Sequence, residues 1–344
     1  TGIVVEDTYL ALMKMARYQQ QQVNPKTLAI TGSNGKTTLK EMVAHILDGH
    51  ESIKTKDNEN NQFGIPFTVL RLKRETRFLV LECGARKLGD FDLISEYLKF
   101  DVLVITNINN SHIEIFENQT NIIKTKTKLL DGLTEGGSFI DGAFEDWGTS
   151  DKLMEINQTF RVNVHHNLEQ DSETKPLTEN WNCTVVSGQQ EGSLPGFFGL
   201  SFQQTLNSSS KRFQSPKKMN LGPRHNCHNA LLAILAAREL GVQYSESIER
   251  LCEFKTPLTN RYFIEHIGKH ILIDDTYNAN PESFTSAIND LATNDSYPKN
   301  KLLIMGDMLE LGQYSEVEHT KILQQALSLP NLKAIFVKGE KFQN

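Results

Sequence analysis

The residues Thr31-Gly32-Ser33-Asn34-Gly35-Lys36-Thr37-Thr38 combine types and spacing that specify chemistry most directly. Two glycines let the backbone turn tightly enough to aim successive N–H groups at one anion. Lys36 adds a mobile positive charge, and the Thr37 hydroxyl is a ligand for Mg²⁺. Together they cradle the phosphates of a nucleoside triphosphate. The segment departs from the general G-x-x-x-x-G-K-[ST] pattern at its first glycine, whose place is held by Ile30.

Further chemistry-bearing residues follow apolar runs. Phe78-Leu79-Val80-Leu81 suits a parallel strand covered on both faces and ends at Glu82-Cys83-Gly84. Val102-Leu103-Val104-Ile105 ends at Thr106-Asn107, with Asn110 and His112 just beyond. In an open parallel sheet, ligands bind beyond the carboxyl ends of the strands, so Lys36, Thr37, Glu82 and His112 converge on one edge. Position alone leaves Glu82 between a helix cap and a metal ligand; the preceding phosphate loop favours the metal. His225 and His228 have helical spacing, but with no third ligand nearby in the chain a structural or nucleotide-contacting role is preferred.

The elements that must hold these groups are legible in the apolar pattern. Asp7 caps a helix through about Gln20, and Asn24-Pro25 breaks it. Leu28–Ile30 is a strand, and Met42, Val43, Ile46 and Leu47 form the buried stripe of the helix after the loop. Between about Trp147 and Met219, short apolar stretches such as Cys183–Val186 and Gly199–Phe202 indicate antiparallel strands. Arg224 to Asn229 leads into a helix over Ala230–Leu240, stopped by Gly241. After Pro257 a second α/β unit is expected, with buried strands at 271–273, 302–305 and 334–337 and helices near 283–291 and 317–329. That is one βαβαβ half of a doubly wound sheet. The chain ends seven residues after the third strand, so this domain is expected to be incomplete.

Composition bounds the classes of function. At 344 residues, with about 100–200 residues per domain, two or three domains are expected. The net charge is −6 with scattered Lys and Arg, which argues against nucleic acid as a partner. Cys83, Cys183, Cys227 and Cys252 contain no C-x-x-C, so neither a disulfide framework nor a zinc site is indicated and a cytoplasmic setting fits. No apolar run reaches 18 residues and no leader opens the chain, so no membrane span is expected. The start at Thr1 suggests a trimmed chain or fragment.

In order along the chain, these motifs resemble those of the Mur ligase family, ATP-dependent amide-forming enzymes of peptidoglycan precursor synthesis. The loop at 30–38 lacks the first glycine as theirs does. Asn60-Asn61-Gln62-Phe63-Gly64-Ile65-Pro66 is similar to the family's N-N-x-[hydrophobic]-G-x-P, Glu82–Ala85 to its E-M-G-A, and Asn107-Ile108 through His112-Ile113-Glu114 to its N-I…A-H-L-E. Leu221–Asn229 resembles L-P-G-x-H-N-x-x-N, with Gly222-Pro223 reversed. Asp274–Pro281 and Gly306–Gly312 resemble the branch that joins D-alanyl-D-alanine to UDP-N-acetylmuramoyl tripeptide.

The resemblance implies a fold class: α/β, a central P-loop domain with a mostly parallel sheet and an antiparallel insertion, then a partial Rossmann-like domain. The implied divisions are 1–24, a remnant of a UDP-sugar domain; 25–257, the ATP-binding domain; and 258–344, part of the closing domain, with a hinge near Pro257 to Asn260. Gly32, Ser33, Asn34, Gly35, Lys36, Thr37 and Thr38 would cradle ATP, and Thr37, Glu82 and His112 would hold Mg²⁺. Lys126 aligns with a carbamylated lysine that helps place a magnesium ion. Lys124 is its alternative, because Lys128 stands where the family commonly has an acid; a solvated lysine face is the plainer reading. Asn229 would contact adenine, Arg261 and Asp275 would close over phosphates and ribose, and Asn278 and Asn280 would line the cleft or simply form the turn before Pro281. Lys36, Lys126, His112 and Arg261 are the implied catalytic residues. The implied partners are the UDP-muramoyl peptide and D-Ala-D-Ala, handled by a monomer. A folylpolyglutamate or cyanophycin synthetase type of ligase, and a relative that binds ATP without ligating, are the alternatives.

Overall fold

The computed structural model describes residues 2–109, 112–142, 159–166, 177–186, 197–206, 209–217, 219–223, 225–294 and 297–342. Asn110, Trp147 and Arg224 lie outside them. The centre is a parallel sheet of β1 (Lys26–Thr31), β2 (Ser52–Lys54), β3 (Phe78–Glu82), β4 (Phe100–Ile105) and β5 (Leu133–Asp141), in spatial order β2-β3-β1-β4-β5. Its register decides where the chemistry sits. Ile30 pairs with Glu82 and Thr31 with Ile105, so β1, β3 and β4 end together on one edge.

Alternation along these strands covers both faces. Leu28, Ile30, Val80, Val102 and Val104 join one buried cluster, with Leu39, Met42, Val43 and Ile46 of α2 (Lys36–Ile46) and most of α7 (Asn226–Glu239). Ala29, Leu79, Leu81 and Leu103 join the other, with Ile65 and Val69 of α3 (Gly64–Leu70) and Ile94 of α4 (Asp92–Tyr97). The first helix, α1 (Thr8–Val23), adds Met13 and Ala16 to this second cluster. Asp7 caps it by accepting from the Leu10 N–H at 2.8 Å, and Asn24, at φ 50°, ends it before Pro25.

Beyond β5 the same sheet continues in antiparallel fashion. β6 (Thr159–His166), β7 (Leu177–Val186), β8 (Phe197–Leu206) and β9 (Ser209–Gln214) pair in succession, and β10 (Met219–Asn220) returns to β8. This matches the antiparallel insertion expected from the sequence. Two further helices on the central unit are α5 (Ile113–Phe116) and α6 (Gln119–Thr127); α8 (Tyr244–Glu253) then leads towards the second unit.

The second unit departs from expectation in two respects: the strands expected to form one set are split between two small sheets, and apolar side chains on strands expected to be buried, such as Leu272, Leu302 and Ile304, are exposed. The strand at 271–273, here β12 (His270–Asp274), does not join the later strands; it forms a two-stranded hairpin with β11 (Phe263–Ile267). The reason is local. Gly268 takes a left-handed φ of 60° and closes a two-residue turn, so β12 finds its hydrogen bonds in the segment just before it. Then α9 (Pro281–Thr293), β13 (Lys301–Gly306), α10 (Ser315–Leu327) and β14 (Leu332–Lys338) follow, with β13 and β14 parallel. These strands are covered on one face only: Met305 packs with Ile288 and Ile322, while Leu302, Ile304 and Phe336 are exposed.

Candidate functional site

The loop after β1 is shaped by two positions that accept only glycine. Gly32 has φ 145°, and a Cβ there would lie 1.9 Å from Thr106 Oγ1; Gly35 has φ 83°, and a Cβ there would lie 2.7 Å from Asn229 Oδ1. The end of β4 pins the loop from the side. The Ser33 N–H donates to the Asn107 carbonyl and the Asn34 N–H to Asn107 Oδ1, both at 2.9 Å, while Thr106 Oγ1 donates to the Asn34 carbonyl at 2.6 Å. Those two N–H groups are thereby occupied, and anion-binding capacity passes to the first turn of α2. There Lys36, Thr37 and Thr38 have no intrahelical acceptor, and the helix dipole favours negative charge. Lys36 Nζ folds back to donate to the carbonyls of Gly32 and Ser33 at 2.7 and 2.9 Å. Burial lowers its pKa, Glu82 opposes that shift, and Arg261 adds to it.

Glu82, at the end of β3, is buried. Its Oε1 accepts from Thr37 Oγ1 at 3.0 Å and from Asn60 Nδ2 at 2.8 Å. Its buried Oε2 accepts no hydrogen bond, and its nearest charge is Lys40 Nζ at 3.5 Å. Lys40, itself buried, also faces Glu41 at 3.3 Å, and Glu41 pairs with Lys54. A hydroxyl and a carboxylate with an unfilled oxygen, beside a phosphate cradle, fit a hard cation that draws its other ligands from phosphate and water. Among the described residues no three His, Cys, Asp or Glu side chains converge as a metal cage.

The three lysines of α6 and its end separate cleanly. Lys126 is buried, lines the cleft and donates to the Gly32 carbonyl at 3.1 Å. Burial, and secondarily Lys36, lowers its pKa to about 7. Lys124 is exposed, and Lys128 pairs with Asp131 at 2.7 Å on the surface. His112, at φ 60° before α5, contacts the Glu310 carboxylate through Nδ1.

On α7, Asn229 is buried and donates to Asn226 Oδ1 at 2.8 Å, presenting its amide to Gly35. His225 and His228 also line the cleft. Burial depresses their pKa values to about 4 and about 3, so both are neutral imidazoles at pH 7, and His225 Nδ1 meets Ser286 Oγ at 2.7 Å.

The second unit supplies the opposite wall. The Arg261 guanidinium lies over the Tyr277 ring, 3.7 Å from its centroid. Asp275 accepts from the Tyr262 N–H at 3.0 Å; burial raises its pKa, which that hydrogen bond and Arg261 partly offset. Asn280 does two jobs. Its Oδ1 caps α9 by accepting from the Ser283 N–H at 2.9 Å, and its Nδ2 donates across to Asn34 Oδ1 at 2.9 Å. The phosphate-loop residues, Glu82, His112, Lys126, Asn229, Arg261, Asp275, Asn278 and Asn280 line one cleft of about 1910 Å³ between the two units, whereas Lys124 is exposed outside it.

Three participants were not singled out as site residues in the sequence. Lys40 could have been found from its i+3 spacing to Thr37, which puts both on the face of α2 that meets Glu82. Asn60 sat in a motif without an assigned task. Glu310, 198 positions from His112, carried no signal of that contact.

Comparison with known proteins shows what the chain as a whole is similar to. The family description "Mur ligase middle domain" matches residues 30–237. The UDP-N-acetylmuramoyl-tripeptide--D-alanyl-D-alanine ligase of Haemophilus influenzae is 30% identical over 357 residues, an alignment covering 98% of this chain and 69% of that protein. The crystal structure of MurF from Acinetobacter baumannii superposes with a TM-score of 0.72 at 27% identity, over 97% of this chain and 72% of that one. MurF of Thermotoga maritima in complex with ADP shares the fold, with a TM-score of 0.75 at 22% identity over 99% and 73% of the two chains. Among the described residues, no helix is long and apolar enough to cross a membrane.

Proposed function

The chain belongs to the Mur ligase family, and on that premise we propose that it joins the amine of D-alanyl-D-alanine to the terminal carboxylate of UDP-N-acetylmuramoyl tripeptide with ATP, in peptidoglycan precursor synthesis. The observation that carries this reading is the shared cleft. Residues 25–257 contribute the phosphate loop, Glu82, Lys126 and Asn229, and residues 258–344 contribute Arg261, Asp275 and Asn278.

The reaction has two displacements. A carboxylate oxygen of the peptide bonds to the γ-phosphorus as the bond from that phosphorus to the β–γ bridging oxygen breaks, releasing ADP. The dipeptide amine then bonds to the acyl carbon, inorganic phosphate departs with the electrons of the C–O bond, and the amine loses a proton to solvent. Two anions must meet in the first step, so the task of the protein is positioning and charge neutralisation. In this reading the first turn of α2 and Lys36 would hold the phosphates, Arg261 would meet them from the other wall, and Asn229 would contact the adenine.

Thr37, Glu82 and His112 would hold Mg²⁺, which screens carboxylate from phosphate when bound. Lys126 is the candidate for carbamylation: its depressed pKa leaves a neutral amine available near pH 7, and bonding of its nitrogen to the carbon of CO₂ with loss of one proton from that nitrogen would leave a carbamate anion at this buried position. Closure of residues 258–344 on the central unit would exclude water from the acyl phosphate. ATP and a nucleotide-linked acceptor imply a cytoplasmic enzyme, and we take its working form to be a monomer, which light scattering would check.

Phosphate release tests the reading. We expect it with UDP-N-acetylmuramoyl tripeptide plus D-Ala-D-Ala, and not with folate plus glutamate. Turnover only with the second pair would move the protein to the folylpolyglutamate type, and nucleotide binding without turnover on either would mark a non-ligating relative.

A further inference from the structure

The segment Gly306–Gly312 stands out in the sequence yet has no task in the reaction just described. The structure holds it firmly. The Asp307 N–H donates to the Lys338 carbonyl at 3.2 Å, and the Asp307 carboxylate accepts from the backbone N–H groups of Glu340 and Lys341 at 2.9 and 3.2 Å. The Met308 N–H donates to His319 Nε2 at 2.9 Å, and Met308 and Leu311 are both buried in the core of the second unit. Between these anchors, Glu310 takes a left-handed φ of 62°. For a residue with a side chain that conformation is costly and needs surrounding structure to hold it.

Glu310 uses this conformation to reach the other unit. Its carboxylate meets His112 Nδ1, and its carbonyl accepts from the Glu114 N–H at 3.4 Å. Gly312, also left-handed at φ 53°, packs on Glu114 so closely that a Cβ would lie 3.1 Å from its Cγ. His112 is itself left-handed, at φ 60°. Two strained non-glycine residues therefore face each other across the interface. A carboxylate only accepts, so the imidazole donates from Nδ1 and keeps its lone pair on Nε2. Carboxylate–histidine pairs of this kind orient the ring and fix the tautomer of a metal-binding imidazole.

We propose that Glu310 is a positioning residue that aims His112 Nε2 into the cleft, so that the cation site is complete only when the second unit is docked. This rests on the reading of His112 as a cation ligand. It gives the 306–312 segment a task and couples closure to metal binding through a single side chain.

The test is Mn²⁺ binding to the full chain in the presence of ADP, read from the electron paramagnetic resonance signal of the free ion. Glu310→Ala is expected to weaken binding by about 10- to 100-fold with ADP affinity unchanged in metal-free buffer. Glu310→Gln, which keeps an acceptor oxygen of the same reach, should recover much of the loss, and Glu310→Leu, of similar size with no acceptor, should bind Mn²⁺ as weakly as the alanine variant and carries the test if that variant fails to fold. Leu309→Ala, an exposed neighbour, should bind Mn²⁺ as the parent does. Unchanged Mn²⁺ affinity in Glu310→Ala, or in Glu310→Leu where the alanine variant does not fold, or an equal loss in Leu309→Ala, overturns the proposal. His112→Ala separates the two readings. If it weakens Mn²⁺ binding while Glu310→Ala does not, only the role of Glu310 falls; if it too has no effect, the cation-ligand reading of His112 falls first.

Discussion

Replacing Lys126 tests the site at a buried cation whose pKa is strongly depressed. Its ammonium sits in the core and donates to the Gly32 carbonyl at 3.1 Å, and burial brings its pKa from 10.5 to about 7. The unfolded chain restores the ordinary value, so between pH 7 and 10.5 it binds more protons than the native state. The contribution of Lys126 to stability is then fully present above the unfolded pKa and is lost as pH falls towards 7. Each pH unit inside that window corresponds to about 1.4 kcal/mol, or roughly 5 kcal/mol across it. Lys126→Met keeps the length and removes the titration. In CO₂-free buffer, where the amine stays unmodified, urea unfolding should show the stability advantage of the methionine variant shrinking by about 3 kcal/mol from pH 7 to pH 9. Parallel curves for parent and variant would refute the buried-amine argument. Activity gives the second arm. Lys126→Ala should lose ligation, with no restoration by high bicarbonate and partial restoration by a short-chain carboxylic acid, whereas exposed Lys124 should tolerate alanine. If Lys124→Ala shows the loss and the rescue, the carbamate has been assigned to the wrong turn of α6.

Lys36→Ala should abolish ATP-dependent ligation with an unchanged circular dichroism spectrum, and undiminished turnover would sink the phosphate-cradle assignment. Gly35→Ala forces a Cβ to within 2.7 Å of Asn229 Oδ1 at a left-handed φ; strain of about 1–3 kcal/mol and displacement of Asn229 should lower ADP affinity at least about tenfold, measured by calorimetry, and parental affinity would contradict the close packing. His225 titrates near 4 and His228 near 3 when folded, against 6.5 unfolded, so stability should fall as pH drops below 6.5 towards those values. His225→Gln should remove about 3 kcal/mol of that loss between pH 6.5 and 4, and an unaltered acid limb in urea titrations would rule out neutral burial of His225.

Much of the central unit was legible because its signals are local. The run before Glu82 is apolar at every position since both faces of β3 are covered, and the stripe Met42, Val43, Ile46 and Leu47 has the period of a helix with one buried face. Asp7 and Asn24-Pro25 marked the limits of α1 through cap chemistry that a few neighbouring residues decide. The second unit was less legible. An apolar triplet at 271–273 has the same appearance whether its partner is a parallel strand or the segment just before it, and the Gly268 turn resolved that choice in favour of the hairpin.

By itself, the sequence determined which groups this protein has for handling a triphosphate and where along the chain they stand, because a glycine loop, a following helix and strand-terminal polar residues are set by short-range sterics and hydrogen bonding. Tertiary structure alone decided which of those groups meet. It buried Lys126 and left Lys124 in solvent, spent the Ser33 and Asn34 N–H groups on Asn107, seated Lys40 against Glu82, and brought Glu310 to His112 across 198 positions. Burial, charge pairing and contact between distant segments depend on the packed three-dimensional neighbourhood, which no local pattern encodes.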